Sequence, residues 1–264
     1  RDLHWINGHI PDGAHCFAID VTVSEAVLAV MGPEARDFLQ PLIPQSLAND
    51  DFAFGTTQQI EIGYGIARAH RVTYVGELGW ELYVSSDMAN HVFDTLMRRA
   101  QDHRLRLCGL HALDSCRIEK AFRHFGHDIS NEEHVLEAGL GFAVKEREEG
   151  RFGAIIGADA VKAKRNDGLN QRLMQFRLTD PDPLLYHNEA ILRDGEIVGY
   201  LTSGNYGHHL GGAIGLGYVK CREDGETAEQ QLLSDYSIDV AGQIVPAEVS
   251  FRAMYDPTAA QVRL

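Results

Sequence analysis

The chemistry-bearing stretch of the chain is Arg71-Val-Thr-Tyr74-Val-Gly-Glu77-Leu-Gly-Trp80-Glu81-Leu-Tyr83-Val84, two β-rich runs on either side of Gly76-Glu77-Leu78-Gly79. Read as a hairpin turning between Glu77 and Leu78, it sets Val75 opposite Trp80 and Tyr74 opposite Glu81. Strand residues alternate faces and cross-strand partners share one, so Tyr74, Glu81 and Tyr83 fall together, away from Trp80, Leu82 and Val84. A carboxylate flanked by phenols suits a planar heterocycle with two adjacent N–H donors: the ionised carboxylate accepts two parallel bonds while an aromatic ring lines the cavity. The 2-amino-4-oxo pyrimidine edge of a pterin is such a group. Spacing alone also describes a solvated glutamate on the wet face of a half-buried hairpin, which is the commoner situation.

The elements that must position these residues follow from apolar periodicity. Residues 26–31 read as a buried strand stopped by Gly32-Pro33. Residues 34–40 put Ala35, Phe38 and Leu39 at helical spacing, with Pro33 suited to the first turn and Pro41 ending it. Residues 59–85 are strand-rich, 88–99 are helical with Val92, Leu96 and Met97 on the inner face, and a third helix spans roughly 110–122. Strand groups alternating with single helices predict an α+β fold rather than a doubly wound one. Ser130-x-x-Glu133 has the form of a capping box and predicts a short helix. The charge run KEREEGR at 145–151 reads as solvated, and 152–164 as a connecting helix.

Beyond a boundary near 168 the chain is strand-rich at 172–178, 189–202, 213–219 and 237–251. Asp194-Gly195 signals a type I′ hairpin pairing Leu192 with Ile197 and Ile191 with Val198. Short strands with regular turns predict a small barrel or sandwich. The expected domains are therefore 1–168 and 169–264.

Bulk properties narrow the function classes. The 264 residues, 44% apolar and 23% charged, are ordinary for a globular protein. Lys+Arg total 24 against 38 Asp+Glu, a formal charge of -14, which opposes binding to a phosphate backbone and argues against a nucleic-acid partner. An anionic small molecule is still allowed, because a pocket can concentrate a few local cations. Cys16, Cys108, Cys116 and Cys221 are scattered without C-x-x-C or zinc-finger spacing, which predicts reduced thiols. With no apolar run near 18 residues and no leader, the expectation is no membrane partner and a cytoplasmic protein, or a matrix protein in a mitochondrion. An opening Arg1 that runs almost at once into strand-like sequence suggests a segment of a longer chain.

Tyr74-x-Gly-Glu-x-Gly-x-Glu81, Gly109-Leu-x-Ala-Leu-Asp-Ser-x-Arg-Ile-Glu-Lys120 and Glu137-Ala-Gly-Leu140 resemble the aminomethyltransferase family of the glycine cleavage T-protein. Glu119-Lys-Ala-Phe-Arg123, Gly126-His-Asp128 and Thr202-Ser-Gly-Asn-Tyr206 most resemble the C-terminal folate domains of dimethylglycine and sarcosine dehydrogenases, in colinear order over nearly the whole chain. The resemblance implies a cloverleaf of small α/β subdomains around a folate cavity with a C-terminal β-barrel. It implies that Tyr74 and Glu81 contact the pterin of tetrahydrofolate, with Tyr83, Arg117 and Tyr206 as further binding candidates. Leu113 stands where glycine-cleavage enzymes carry an Arg, so that contact does not transfer, which favours the dehydrogenase type. The family's catalytic Asp matches a segment upstream of Arg1, so no catalytic residue is assigned and the fragment alone is expected to be inactive.

The implied function is the tetrahydrofolate-dependent one-carbon-transfer part of an FAD-dependent N-methyl amine dehydrogenase. Its substrate would be a small N-methylated amine of the dimethylglycine or sarcosine type. The one-carbon unit would be captured as 5,10-methylenetetrahydrofolate, and FAD would be held by another domain of the same full-length chain. The alternatives are a stand-alone glycine cleavage aminomethyltransferase and, in another class, a non-catalytic folate-binding module.

Other residues invite competing readings. Arg117 could meet the glutamate tail of a folate, but Asp114 three residues earlier offers it a helical ion pair. Glu119 and Arg123, four apart, read as a bridge on a helix surface. His124, His127 and Asp128 lack a further convergent ligand for a metal, and none is expected. His208-His209 read as loop histidines between barrel strands, either bordering a pocket or solvated. Ser203-Gly-Asn-Tyr206 lacks a G-x-S-x-G frame and reads as a barrel loop near the ligand. Gly211, Gly212, Gly215 and Gly217 do not form a phosphate cradle.

Overall fold

Four strands of alternating sequence make an antiparallel sheet: β1 (Glu25–Met31), β2 (Thr57–Ile62), β3 (Gly65–His70) and β4 (Gly79–Ser85), in the order β1-β4-β3-β2. The computed structural model describes residues 1–102, 105–144, 155–222 and 225–264, which divide into two units. The sheet lies in the first, made of residues 1–73, 77–107 and 261–264. Trp80, Leu82 and Val84 of β4, Ala67 and Ala69 of β3, and Ile60 and Ile62 of β2 are buried. Each fully buried Leu or Ile stabilises by about 1.5–3 kcal/mol.

Following α1 (Asp2–Gly8), which buries no residue, the helices of this unit complete the core. α2 (Ala35–Leu39) buries Ala35, Phe38 and Leu39 and runs into a 3-10 turn at Gln40–Leu42 containing Pro41. α3 (Ala89–Arg99) buries Val92 and Leu96 and leaves Met97 half-buried. These match the helical spacing read from the sequence.

The second unit, residues 74–76 and 108–260, holds α4 (Leu110–Glu119), α5 (Ala158–Asp167), β5 (Gln171–Leu178), β6 (Ala190–Arg193), β7 (Glu196–Gly207), β8 (Gly212–Lys220), α6 (Ala228–Leu232), β9 (Tyr236–Val240) and β10 (Gln243–Ser250). The six strands close into a barrel in the order β10-β5-β8-β7-β6-β9, which removes exposed sheet edges. Met174, Phe176, Ile191, Leu201, Val219 and Ile238 fill it. The glycines of β8 serve packing: a Cβ on Gly217 would lie 2.7 Å from the Tyr200 carbonyl oxygen. The architecture is the α+β class with small subdomains and a C-terminal barrel.

Several local expectations are corrected. Asp194 and Gly195 have φ of 52° and 86°, the positive pair a type I′ turn requires, and Leu192 faces Ile197. A bulge between Ile191 and Leu192 then shifts the register, so Ile191 faces Gly199 rather than Val198. No helix follows Ser130. The Glu133 carboxylate accepts both the Ser130 N–H and its hydroxyl at 2.6 Å, and the Ser130 oxygen takes the Glu132 N–H at 3.1 Å, so the N–H that a capping box would satisfy is not capped. A complete capping box instead opens α6, between Thr227 and Gln230. α4 stops at Glu119, with Ala121 left-handed at φ 51°. The charge run at 145–151 and residues 152–154 of the expected connecting helix lie outside the described residues. No disulfide joins the cysteines. Among the described residues no helix is long and apolar enough to cross a membrane.

Arg193 and Glu226 form a two-pronged pair within this unit, at 2.6 and 3.1 Å, with both side chains almost wholly buried. The hydrogen bonds from Arg193 hold the Glu226 carboxyl below the usual carboxylate range, burial acting against them. Glu226→Gln leaves a buried guanidinium without its counter-charge and is expected to cost about 3–5 kcal/mol. Because the folded carboxyl is the stronger acid, its contribution is present above the unfolded value of about 4.3 and is lost as pH falls through the folded value. Urea denaturation at pH 7 and pH 3 should show the gap between wild type and variant narrowing in acid.

Candidate functional site

Burial of Trp80, Leu82 and Val84 turns Glu81 and Tyr83 onto the opposite, half-buried face of β4. On that face Glu81 stands between Ala29 of β1 and His70 of β3, and Tyr83 between Val27 and Arg68. Thr57 of β2 continues the row beyond His70. The Tyr83 hydroxyl donates to Glu81 Oε2 at 3.2 Å. Burial, and next the charge of Glu81, push the Tyr83 phenol up, so it keeps its proton and stays the donor. Glu81 Oε1 takes no hydrogen bond from the described residues. The carboxylate therefore has acceptor capacity left for a planar pair of N–H donors.

The tight hairpin of the sequence reading is not formed. β3 and β4 do pair, but residues 71–78 connect them, so Glu81 faces His70 and Trp80 faces Val30. Arg71 takes the chain out of the ladder. Its buried guanidinium donates to the carbonyls of Phe52 at 2.6 Å and Leu264 at 3.0 Å, and its N–H goes to Thr56. Tyr74 falls in the second unit, where its hydroxyl donates to the Arg123 carbonyl at 3.0 Å and its ring stacks on Phe122. Burial pushes its phenol up. Of the residues read as one face, Glu81 and Tyr83 come together on one strand of the first unit, and Tyr74 belongs to the second unit.

In the second unit the expected Arg117–Asp114 pair is present at 2.7 Å, but it belongs to a buried network. Arg117, 1% exposed, also donates to the Phe122 carbonyl, the Asp128 carboxylate and Ser203 Oγ. Asp128, with no exposed surface, further accepts Thr202 Oγ1 at 2.6 Å and the His124 N–H at 2.8 Å. Arg117 thus ties α4 to β7 and to the turn at 124–128. Glu119 and Arg123 make no surface bridge, because the helix ends between them. The Glu119 side chain, 2% exposed, accepts the N–H groups of His209 and Leu210 and His209 Nδ1 at 2.7, 3.1 and 2.8 Å. Arg123 donates to the carbonyls of Ala138 and Ala121.

Tyr206 is half-buried on β7, its carbonyl accepting from Ser115 Oγ at 2.6 Å and its ring edge-on to His208. His209 stacks on Tyr255. Among the described residues no three His, Cys, Asp or Glu side chains converge as a metal site. A cleft of about 550 Å³ in the first unit lies among Val30, Met31, Pro33, Glu34, Asp37 and Phe38 and does not include Glu81. Sequence reasoning missed His70 as the neighbour of Glu81. Pairing residues 65–70 with β4, instead of 71–75, is the signal that would have found it.

Residues 1–148 match the family described as GCVT N-terminal domain, and residues 171–256 that described as glycine cleavage T-protein C-terminal barrel domain. The chain is 38% identical over 254 residues to the 4-methylaminobutanoate oxidase (formaldehyde-forming) of Paenarthrobacter nicotinovorans, covering 96% of the chain and 30% of that protein. It is 34% identical over 236 residues to the mitochondrial dimethylglycine dehydrogenase of Homo sapiens, covering 88% and 27%. The chain spans less than a third of the length of either relative. The crystal structure of the glycine cleavage system aminomethyltransferase T from Bartonella henselae has the same fold, with a TM-score of 0.71 at 22% identity over 88% of this chain and 60% of that one.

The two clusters should separate in denaturation experiments. Asp128→Ala, which leaves the buried Arg117 charge uncompensated, is expected to cost about 3–5 kcal/mol. Glu81→Ala, on a half-buried face with one hydrogen bond, should stay within about 1 kcal/mol of wild type.

Proposed function

Because the chain belongs to the glycine cleavage T-protein family, we propose that it is a tetrahydrofolate-binding unit for one-carbon transfer, with Glu81 holding the edge of the pterin. The observation that carries this reading is the state of Glu81. It is half-buried, one oxygen is oriented by Tyr83, and the other takes no hydrogen bond from the described residues. The sequence motif assigns Tyr74 to the same pterin, with Tyr83 orienting the carboxylate and Tyr206 a lesser candidate. Bound tetrahydrofolate supplies the nitrogens that accept the one-carbon unit. The chain's part is to fix the heterocycle's plane and keep water from the reacting carbon. In the proposed division of labour residues 1–168 carry the folate contacts and 169–264 the barrel domain.

We assign the unit to an enzyme oxidising a small N-methylated amine, the class named by the two relatives, with FAD in a domain outside these residues. Leu113, in place of the Arg of glycine-cleavage enzymes, supports that assignment. A second reading is a stand-alone glycine cleavage aminomethyltransferase, favoured by the match of both family models to the glycine cleavage T-protein. Both readings use the same pterin contact and differ in the one-carbon donor.

Calorimetric titration with tetrahydrofolate tests the shared claim. Glu81→Ala should weaken binding by about 1.5–3 kcal/mol, the worth of hydrogen bonds to a charged acceptor. Unchanged affinity removes the assignment of Glu81.

A further inference from the structure

We infer that His70 is a positioning residue for Glu81: a fixed neutral imidazole holds Arg68 and Tyr83 in place, and through Tyr83 it holds the carboxylate. The inference rests on the proposed pterin role of Glu81 and adds a residue that the sequence motif does not contain.

The geometry of the ring decides its tautomer. His70 Nε2 receives the Arg68 Nε–H at 3.3 Å, and Nδ1 lies 2.9 Å from Thr57 Oγ1. Arginine has only donors, so Nε2 must present its lone pair, and the ring proton sits on Nδ1, directed at the threonine oxygen. The imidazole also packs on the Tyr83 ring, with centroids 4.7 Å apart, while the Arg68 guanidinium stands 5.3 Å from the same ring. Arg68 is held in turn by Glu25 Oε2 at 2.8 Å. Tyr83 is thereby walled by His70 and Arg68, and its hydroxyl is the hydrogen bond that orients Glu81 Oε2.

Protonating His70 places a second N–H on Nε2, pointing at the Arg68 N–H. Two donors and two positive charges then face each other. Arg68, 51% exposed, is the group free to swing out, and it takes one wall of Tyr83 with it. The charged or titratable groups beside the ring are Arg68 on β3 and Glu81 and Tyr83 on β4, with β2 contributing Thr57 and Glu25 of β1 reaching Arg68. Loss of the Nε2 acceptor should therefore loosen Arg68 and Tyr83 and weaken pterin binding.

Two measurements on the full chain test this. Long-range proton–nitrogen NMR at pH 8 should find His70 protonated on Nδ1 and unprotonated on Nε2, with no folate present. An Nε2–H tautomer overturns the inference. Calorimetry with 5-formyltetrahydrofolate at pH 8 then compares two variants with wild type. His70→Gln, whose side-chain oxygen can still accept from Arg68, should keep the wild-type affinity. His70→Phe, which keeps the ring but not the acceptor, should bind several-fold more weakly. Binding by His70→Gln as weak as that of His70→Phe, or full affinity in His70→Phe, overturns the inference. Absence of binding by wild type counts against the pterin reading itself, a different result from a wrong tautomer.

Discussion

A strand that packs one face into a core can bury only every second residue, and in β4 that constraint organises the first unit. Trp80, Leu82 and Val84 go inward against α2, α3 and the inner residues of β2 and β3. Glu81 and Tyr83 are then obliged to share the other face, beside small Ala29 on one flank and His70 on the other. The carboxylate is held by a phenol on one oxygen, which leaves it acceptor capacity on the other. A one-residue slip of β4 would put Glu81 into the core and Trp80 into water, so the register that stabilises the unit is also the one that brings out Glu81 and Tyr83 together.

The second unit uses charge differently. Arg117 with Asp128, and Arg193 with Glu226, are buried pairs whose lone pairs and protons are met by further partners such as Thr202 and Ser203. Such pairs contribute little net energy against apolar packing, but losing one partner is costly. The Arg117–Asp128 pair therefore fixes how α4 and the turn at 124–128 meet the barrel, while Arg193–Glu226 ties β6 to the segment before α6. Glu119 does the same for the residues after β7, gathering the N–H groups of His209 and Leu210 and the His209 ring onto one carboxylate.

What could be read from the sequence divides along the range of the interactions. Period-2 alternation separated Glu81 and Tyr83 from Trp80, Leu82 and Val84. The Asp194-Gly195 pair marked a turn with two positive φ angles, and apolar spacing located α2 and α3. Errors arose where a distant partner decides the outcome. Residues 71–78 leave the sheet because Arg71 finds the carbonyls of Phe52 and Leu264, one of them 193 positions away. Glu119 and Arg123 have helical spacing, but the helix ends before it can bring them together, and the true partner of Glu119 lies 90 positions on. Ser130 and Glu133 make only half of a capping box, the Ser130 N–H on the Glu133 carboxylate, because the Ser130 oxygen takes the Glu132 N–H instead of that of Glu133, and no helix follows.

The account turns on whether Glu81 meets the pterin. The most direct measurement is a crystal structure of the chain with 5-formyltetrahydrofolate bound. It should place the pterin N3–H and 2-amino group on the two oxygens of Glu81 at about 2.7–3.2 Å, with the Tyr83 hydroxyl still on Oε2. A pterin bound elsewhere, with the Glu81 carboxylate facing only solvent, would contradict it.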